Sequence, residues 1–485
     1  MNDELWSWSA GRTAAAIRSG DISSEEAVTA ALSRLEATNG TTNAFCEVFD
    51  DAVKQAREAD GARSRGDVLG ALHGVPVAVK PNTDLEGYPT HDGVEEYLAY
   101  PAGETSPAIH NLLQAGAVPV GRTNVPSFST RWFSDNEHWG RTLNPWDPEV
   151  TPGGSSGGAA SAVASGVVAL AQGNDLAGSV RYPAAACGVV GLRPTSGRIP
   201  SWHGRPGGGT PLTITQFGVE GPIARTVDDL RLALSVMERF DPRDAIAAPQ
   251  AVKGRPLDDA RPRIAVITDP GSSPYAGPGL PETTDATRTV AAALADAGYD
   301  VEEVELPLLA EASSLWFQLV LTELRAIGAV GEMQRVREKQ TERSIELWCE
   351  IHDEVFGGVS LTEFLQGFDR RHYLRRQLAE FMEDFPVLLL PNSGEPPFPH
   401  GDDLVSADRT REIVRHQWPN TAIPVLGLPG IGMGVIRREN KAPLGVQLIG
   451  RSFDEELLLR TAKDVEARFD MSLPVDPRMP APSVQ

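Results

Sequence analysis

Between Thr151 and Gly188 the chain carries two glycine-rich turns, and each presents serine. The first, Gly153-Gly154-Ser155-Ser156-Gly157-Gly158, sets glycine on both sides of a serine pair. The second is Asp175-Leu176-Ala177-Gly178-Ser179-Val180-Arg181. Glycine permits backbone angles closed to other residues and lets main chain approach a ligand closely. Between the turns, Ala159–Ala164 reads as a helix packed through alanines and Val167–Ala171 as a buried strand. A flexible linker would lack that apolar scaffold, and the phosphate-loop pattern GxxxxGK[ST] is absent. Two shaped serine turns on one hydrophobic scaffold point to a nucleophile site. A serine hydroxyl attacks poorly until a neighbouring base removes its proton. No GxSxG elbow marks a Ser-His-Asp arrangement. None of the nine histidines falls into HExxH or another paired metal spacing. His73 precedes Lys80 by seven residues, with nothing to mark it as a base.

A third block, Gly74-Val75-Pro76-Val77-Ala78-Val79-Lys80, delivers a lysine at the end of an apolar run. Taken alone, such a lysine reads as an edge residue that snorkels to water. Together the three blocks resemble the amidase signature family of serine hydrolases, whose hallmark is GGSSGG…GS.R. That resemblance implies a catalytic trio of Lys80, Ser155 (after an unusual cis peptide bond) and the nucleophile Ser179. They stand 75 and 24 residues apart, as in the family. It further implies that neutral Lys80 takes a proton from Ser155, which relays one from Ser179. The backbone N–H groups of Leu176, Ala177, Gly178 and Ser179 would form the oxyanion hole. Gly154, Ser156, Asp175 and Arg181 would support the turns rather than touch substrate. No cofactor or metal is implied. Two positions depart from the family. Pro81 follows Lys80 where an acidic residue is common, which leaves the hydrogen bonds around the lysine open. Ala177-Gly178 replaces a glycine pair; alanine still donates its N–H, but its Cβ narrows the turn.

The elements that must hold these residues alternate between helix and strand, which argues for an α/β fold. The expectation is one large mixed β-sheet flanked by helices, in a single domain spanning 1–485. Within it we read an N-terminal helical layer over about 1–70, a signature core over about 71–240 and a variable helical region over about 308–385. Ser23-Ser24-Glu25-Glu26 supplies a capping box. Strands are expected at Val75–Val79, Val118–Gly121, Arg263–Ile267, Val301–Val304 and Val387–Leu390. Ser201–Phe217 reads as a loop near the pocket mouth, and 240–262 as a surface crossover. Trp132 and Phe133 suit either an aromatic wall beside substrate or core packing. For Trp316, Phe317, Val320 and Trp348 an amphipathic core stripe is preferred over a pocket lining.

Composition narrows the setting. The net charge of −22 opposes non-specific binding to nucleic acid or anionic membrane. Three widely spaced cysteines, Cys46, Cys187 and Cys349, make neither a disulfide framework nor a zinc knuckle, so a reduced, cytoplasmic setting is expected. Cys187 reads as a small buried residue rather than a thiol nucleophile. The opening MNDELWSWSAGR has no apolar run of secretory type. The longest nearly apolar run, Ala159–Ala171, is too short to span a bilayer. The reading is an amidohydrolase for small amides, aryl amides or carbamates, with no nucleic-acid or membrane partner and a homodimer left open. A glutaminase subunit of a tRNA-dependent amidotransferase and a non-catalytic binding protein on the same fold are the alternatives.

Overall fold

The computed structural model describes residues 4–202, 209–244, 246–248, 260–471 and 473–480. Its strands, in chain order, are β1 (Phe45–Val48), β2 (Pro76–Val79), β3 (Val118–Thr123), β4 (Asp135–Asn136), β5 (Gly140–Arg141), β6 (Leu170–Asp175) and β7 (Val190–Arg193). There follow β8 (Val219–Ala224), β9 (Arg263–Val266), β10 (Asp300–Glu303), β11 (Val387–Pro391), β12 (Gly430–Arg438) and β13 (Lys441–Gly450). All but the β4–β5 pair join one eleven-stranded sheet, in the order β1-β3-β2-β6-β8-β7-β12-β13-β11-β9-β10. Pairing is parallel for β3–β2–β6 and for β11–β9–β10, and antiparallel elsewhere. The sheet is therefore mixed, as the alternating pattern predicts.

Strand side chains alternate between faces, and here the two faces receive different packing. Val77, Val79, Leu170, Val190, Leu192, Ile431 and Val446 join one core with helices Pro107–Gln114, Val227–Met237, Pro281–Asp296 and Glu455–Glu466. Ala78, Ala171 and Ile223 face the other way, onto the alanines of helix Gly157–Ala164. Further along that second face, helices Leu308–Ala326, Leu361–Asp384 and Trp418–Leu426 cover Ala265, Leu388 and Leu390. The same period of two carries Lys80, next after Val79, to the Ala78 face. That is the face on which the first serine turn lies.

Several expectations shift by a few residues, and two change type. The capping box forms as read: Ser23 Oγ accepts from the Glu26 N–H, while Glu26 accepts from the Ser23 N–H. Phe45–Val48 is not helical; it pairs with β3 and closes one edge of the sheet. The strand between the serine turns begins at Leu170 and runs to Asp175, because Val167–Ala169 complete the exit from the alanine helix. Within the expected loop Ser201–Phe217, Leu212–Phe217 is a helix, whereas 203–208 lie outside the described residues. Residues 249–259 of the expected crossover also lie outside them. The region 308–385 holds helices Leu308–Ala326, Ala329–Arg335, Lys339–Phe356 and Leu361–Asp384.

Candidate active site

Lys80 leaves the end of β2 into the interior and is wholly buried. Its Nζ donates to Ser155 Oγ at 2.7 Å and to Asn174 Oδ1 at 2.6 Å. Its main chain is held from both sides: the N–H donates to Gln172 Oε1 at 2.9 Å, and its carbonyl accepts from Arg122 Nη1 at 3.3 Å. Burial disfavours the ammonium and brings its pKa down to about 8, against the opposing pull of Asp92, Glu220 and Asp175. Burial also raises Glu220 to about 7, although Gln172 Nε2 donates to it at 2.5 Å.

The first serine turn fits because it has almost no side chains in the way. A Cβ at Gly154 would stand 2.5 Å from the Arg131 carbonyl oxygen and 2.6 Å from the Phe133 nitrogen, so only glycine is accommodated. The Gly154–Ser155 peptide bond is cis. Ser134 staples the turn: its Oγ donates to the Gly153 carbonyl at 2.9 Å and accepts the Gly157 N–H at 3.0 Å. Ser156 N–H donates to the Ser179 carbonyl at 3.2 Å, which sets the two turns side by side. The Ser156 hydroxyl is buried and has no hydrogen-bond partner among the described residues. Ser179 itself is 8% exposed.

Beneath the second turn sits a fully buried ion cluster. Asp175 accepts from Arg181 Nε and Nη2, each at 3.0 Å, while Arg193 Nη1 donates to the Asp175 carbonyl at 2.6 Å. Burial works against this carboxylate, but Arg181 and Arg193 outweigh it and hold its pKa at about 2. Arg181 also reaches Gln447 Oε1 at 2.7 Å and the Asn420 carbonyl at 3.0 Å, tying the turn to the C-terminal part of the chain. Asp175 and Arg181 thus brace the loop.

The Gly178 N–H donates to Asp175 Oδ1 at 2.9 Å. That hydrogen is committed to the brace, which reduces the expected set of oxyanion donors to Leu176, Ala177 and Ser179. Left-handed backbone is needed only at Gly178, with φ of 90°; Ala177 has none, which explains how alanine is tolerated there. From above, two indoles grip the carbonyls of this loop. Trp316 Nε1 donates to Leu176 O at 2.9 Å and Trp132 Nε1 to Ala177 O at 2.7 Å.

Trp316, Phe317 and Val320 are buried in the aromatic core and Trp348 packs against it, as the core stripe predicts; Trp132 and Phe133, left open between an aromatic wall and core packing, are buried in the same core. The indole contacts are what pattern reading missed, because periodicity reports burial and not a polar tip. Cys187 is wholly buried and its thiol is pushed upward by burial, as a structural cysteine should be. His73 Nε2 lies 3.0 Å from the Ala59 carbonyl, away from these turns. Among the described residues no group of three or more His, Cys, Asp or Glu is arranged to hold a metal ion. No helix among them is long and apolar enough to cross a membrane.

A sequence model of the Amidase family matches residues 26–459. The chain belongs to the amidase signature family. This amidase is 39% identical over 470 residues to indoleacetamide hydrolase of Bradyrhizobium diazoefficiens, covering 96% of this chain and 87% of the relative. It is 31% identical over 471 residues to a glutamyl-tRNA(Gln) amidotransferase subunit of Moorella thermoacetica, covering 91% and 92%. Among solved structures it is similar to 6-aminohexanoate cyclic dimer hydrolase, with a TM-score of 0.80, 27% identity and 96% and 97% coverage. The amidase is a hydrolase acting on amide C–N bonds.

Proposed function

We propose that this amidase hydrolyses small neutral amides, aryl amides or carbamates with Ser179 as nucleophile, Ser155 as relay and Lys80 as base. The observation that carries the reading is the buried Lys80 Nζ at 2.7 Å from Ser155 Oγ, on a turn bonded to the Ser179 carbonyl. With a pKa near 8, about a tenth of the lysine is neutral at pH 7, against roughly one part in 2,500 for an ordinary lysine. The neutral amine takes the Ser155 proton as Ser155 takes that of Ser179, and Ser179 Oγ attacks the carbonyl carbon. The N–H groups of Leu176, Ala177 and Ser179 are the candidate donors to the oxyanion; one such donor is worth about 3–4 kcal/mol of barrier. The relay returns a proton to the leaving nitrogen, the C–N bond breaks, and water releases the acyl or carbamoyl group from Ser179.

Support for an aryl substrate comes from the 39% identical relative named for indoleacetamide hydrolysis. Arylacetamides, with indoleacetamide first, are therefore the substrates expected to turn over best, ahead of anilides and aryl carbamates. The test is steady-state hydrolysis of these compounds and of glutamine by the purified chain. A serine-directed fluorophosphonate, located by peptide mapping, runs alongside it. Turnover of aryl substrates above glutamine, with label on Ser179, is expected. Preference for glutamine, or dependence on a second protein for turnover, would favour the amidotransferase reading that the 31% identical relative supports. Label on Ser156 or Cys187 would overturn the choice of nucleophile.

A further inference from the structure

On the side of Lys80 away from Ser155, a line of polar side chains leads to a buried carboxylate. Lys80 Nζ donates to Asn174 Oδ1 at 2.6 Å, and Asn174 Nδ2 donates to Asn82 Oδ1 at 2.7 Å. Asn82 Nδ2 in turn donates to Ser129 Oγ at 3.1 Å, and the Ser129 hydroxyl donates to Asp92 Oδ1 at 2.7 Å. A hydroxyl can serve either way round, and a carboxamide can flip; an ionised carboxylate can only accept. Asp92 therefore sets the sense of every bond upstream. Ser129 must donate to it and so accepts from Asn82. Asn82 then offers its carbonyl to Asn174, and Asn174 offers an acceptor to the lysine.

We infer that Asp92 is a positioning residue for the hydrolytic reaction, fixing the direction of the Ser129–Asn82–Asn174 chain so that Lys80 always meets an acceptor there. One Nζ hydrogen is then pinned to Asn174, and the lone pair of the neutral amine is turned towards Ser155. The inference rests on Lys80 being the base. It also accounts for Pro81: the acidic residue expected directly after the lysine is replaced by one eleven positions further on, acting through three side chains.

The backbone at the Asp92 end of this line is unusual. Asp92, Phe128 and Ser129 are non-glycine residues with φ of 48°, 58° and 54°. Such left-handed conformations persist only where the surroundings impose them. Phe128 N–H donates to the Asp92 carbonyl at 2.8 Å and Ser127 Oγ to the Gly93 carbonyl at 2.9 Å, clamping the two segments together. The clamp brings the Ser129 hydroxyl onto Asp92.

The charged and titratable groups around Lys80 are Asp92, Asp175 at the end of β6, Glu220 on β8 with Asp84 beside it, and Arg122 on β3. Only a change at Asp92 alters one of these charges in the experiment that follows. The dependence of kcat on pH is measured for the wild type, Asp92→Asn, Ser129→Ala and Lys80→Met with one aryl amide. Asp92→Asn should lower the plateau kcat about tenfold and move the rise in rate to lower pH, since a carboxylate favouring the ammonium is lost. Ser129→Ala breaks the chain but keeps the charge, so the plateau should fall by a similar factor with the rise unmoved. KM should change less than about twofold in both. An unchanged plateau in Ser129→Ala, or an unmoved rise in Asp92→Asn, overturns the inference; if Asp92→Asn does not fold, the Ser129→Ala plateau decides alone. Loss of activity in Lys80→Met with both other variants unaffected would sink this inference and leave the base assignment standing. Retained activity in Lys80→Met would remove the base itself.

Discussion

Two wholly buried ionisable groups sit on either side of the serine turns, and the protein treats them in opposite ways. Asp175, under the second turn, is met by two guanidiniums and stays charged, with its pKa held at about 2. Lys80, beside the first turn, is met by a hydroxyl and a carboxamide, and its pKa falls to about 8. Burial penalises charge at both. What differs is the chemistry of the direct partners: at Asp175 two guanidiniums outweigh the burial penalty, whereas at Lys80 the neutral hydroxyl and carboxamide do not. The charged side serves as a fixed brace, and the neutral-partnered side is left able to lose a proton. Asp92, Glu220 and Asp175 pull the Lys80 pKa upward against burial, which leaves it at about 8.

Breaking the charged side should have the larger effect on the fold. Asp175→Asn leaves Arg181 and Arg193 buried without their counter-ion, and removing one partner of a buried pair typically costs about 3–5 kcal/mol. The variant should unfold at a markedly lower urea concentration, and kcat should fall because the loop bearing Leu176, Ala177 and Ser179 loses its anchor. Wild-type stability would show that the arginines find other partners. The carboxylate's contribution is present above the unfolded pKa of about 4 and is lost only as pH falls through about 2. The brace therefore holds throughout the working range.

The lysine side predicts a smaller effect with a definite sign. The folded pKa of about 8 lies below the unfolded value, so between about pH 8 and 10 the unfolded chain binds more protons. Stability at this site should therefore rise with pH across that window. The stability difference, wild type minus Lys80→Met, should increase towards pH 10 in parallel urea titrations. A difference that is flat with pH would show that Lys80 ionises alike in both states.

The same contrast marks how far the sequence can be read. Lys80, Ser155, Ser179, Asp175 and Arg181 lie in short local patterns, and the mixed sheet follows from the alternation of strands and helices. Asp92, Ser129 and Asn82 carry no such pattern. Their link to Lys80 depends on two loops meeting across 37 residues of sequence and on left-handed backbone at three non-glycine positions. Ser134, Trp132 and Trp316 are out of reach for the same reason, since each acts by donating one hydrogen bond to main chain distant in sequence or brought round by a turn. The commitment of the Gly178 N–H to Asp175 is hidden too: the motif supplies a row of N–H groups, and only the folded loop decides where each one points. Phe45–Val48 merges into a helical reading because four residues at a sheet edge leave too short a periodic signal between two helices.

The central claim is that Lys80 works as a neutral base, and the pH dependence of kcat in Lys80→Met tests it most directly. Methionine keeps the length and fills the site but cannot accept a proton. Wild-type kcat should rise with pH through an ionisation near 8; in the folded variant kcat should drop about 10²–10⁴-fold, with KM little changed and that ionisation gone. A folded Lys80→Met enzyme with near-wild-type kcat and the same pH profile would contradict the account.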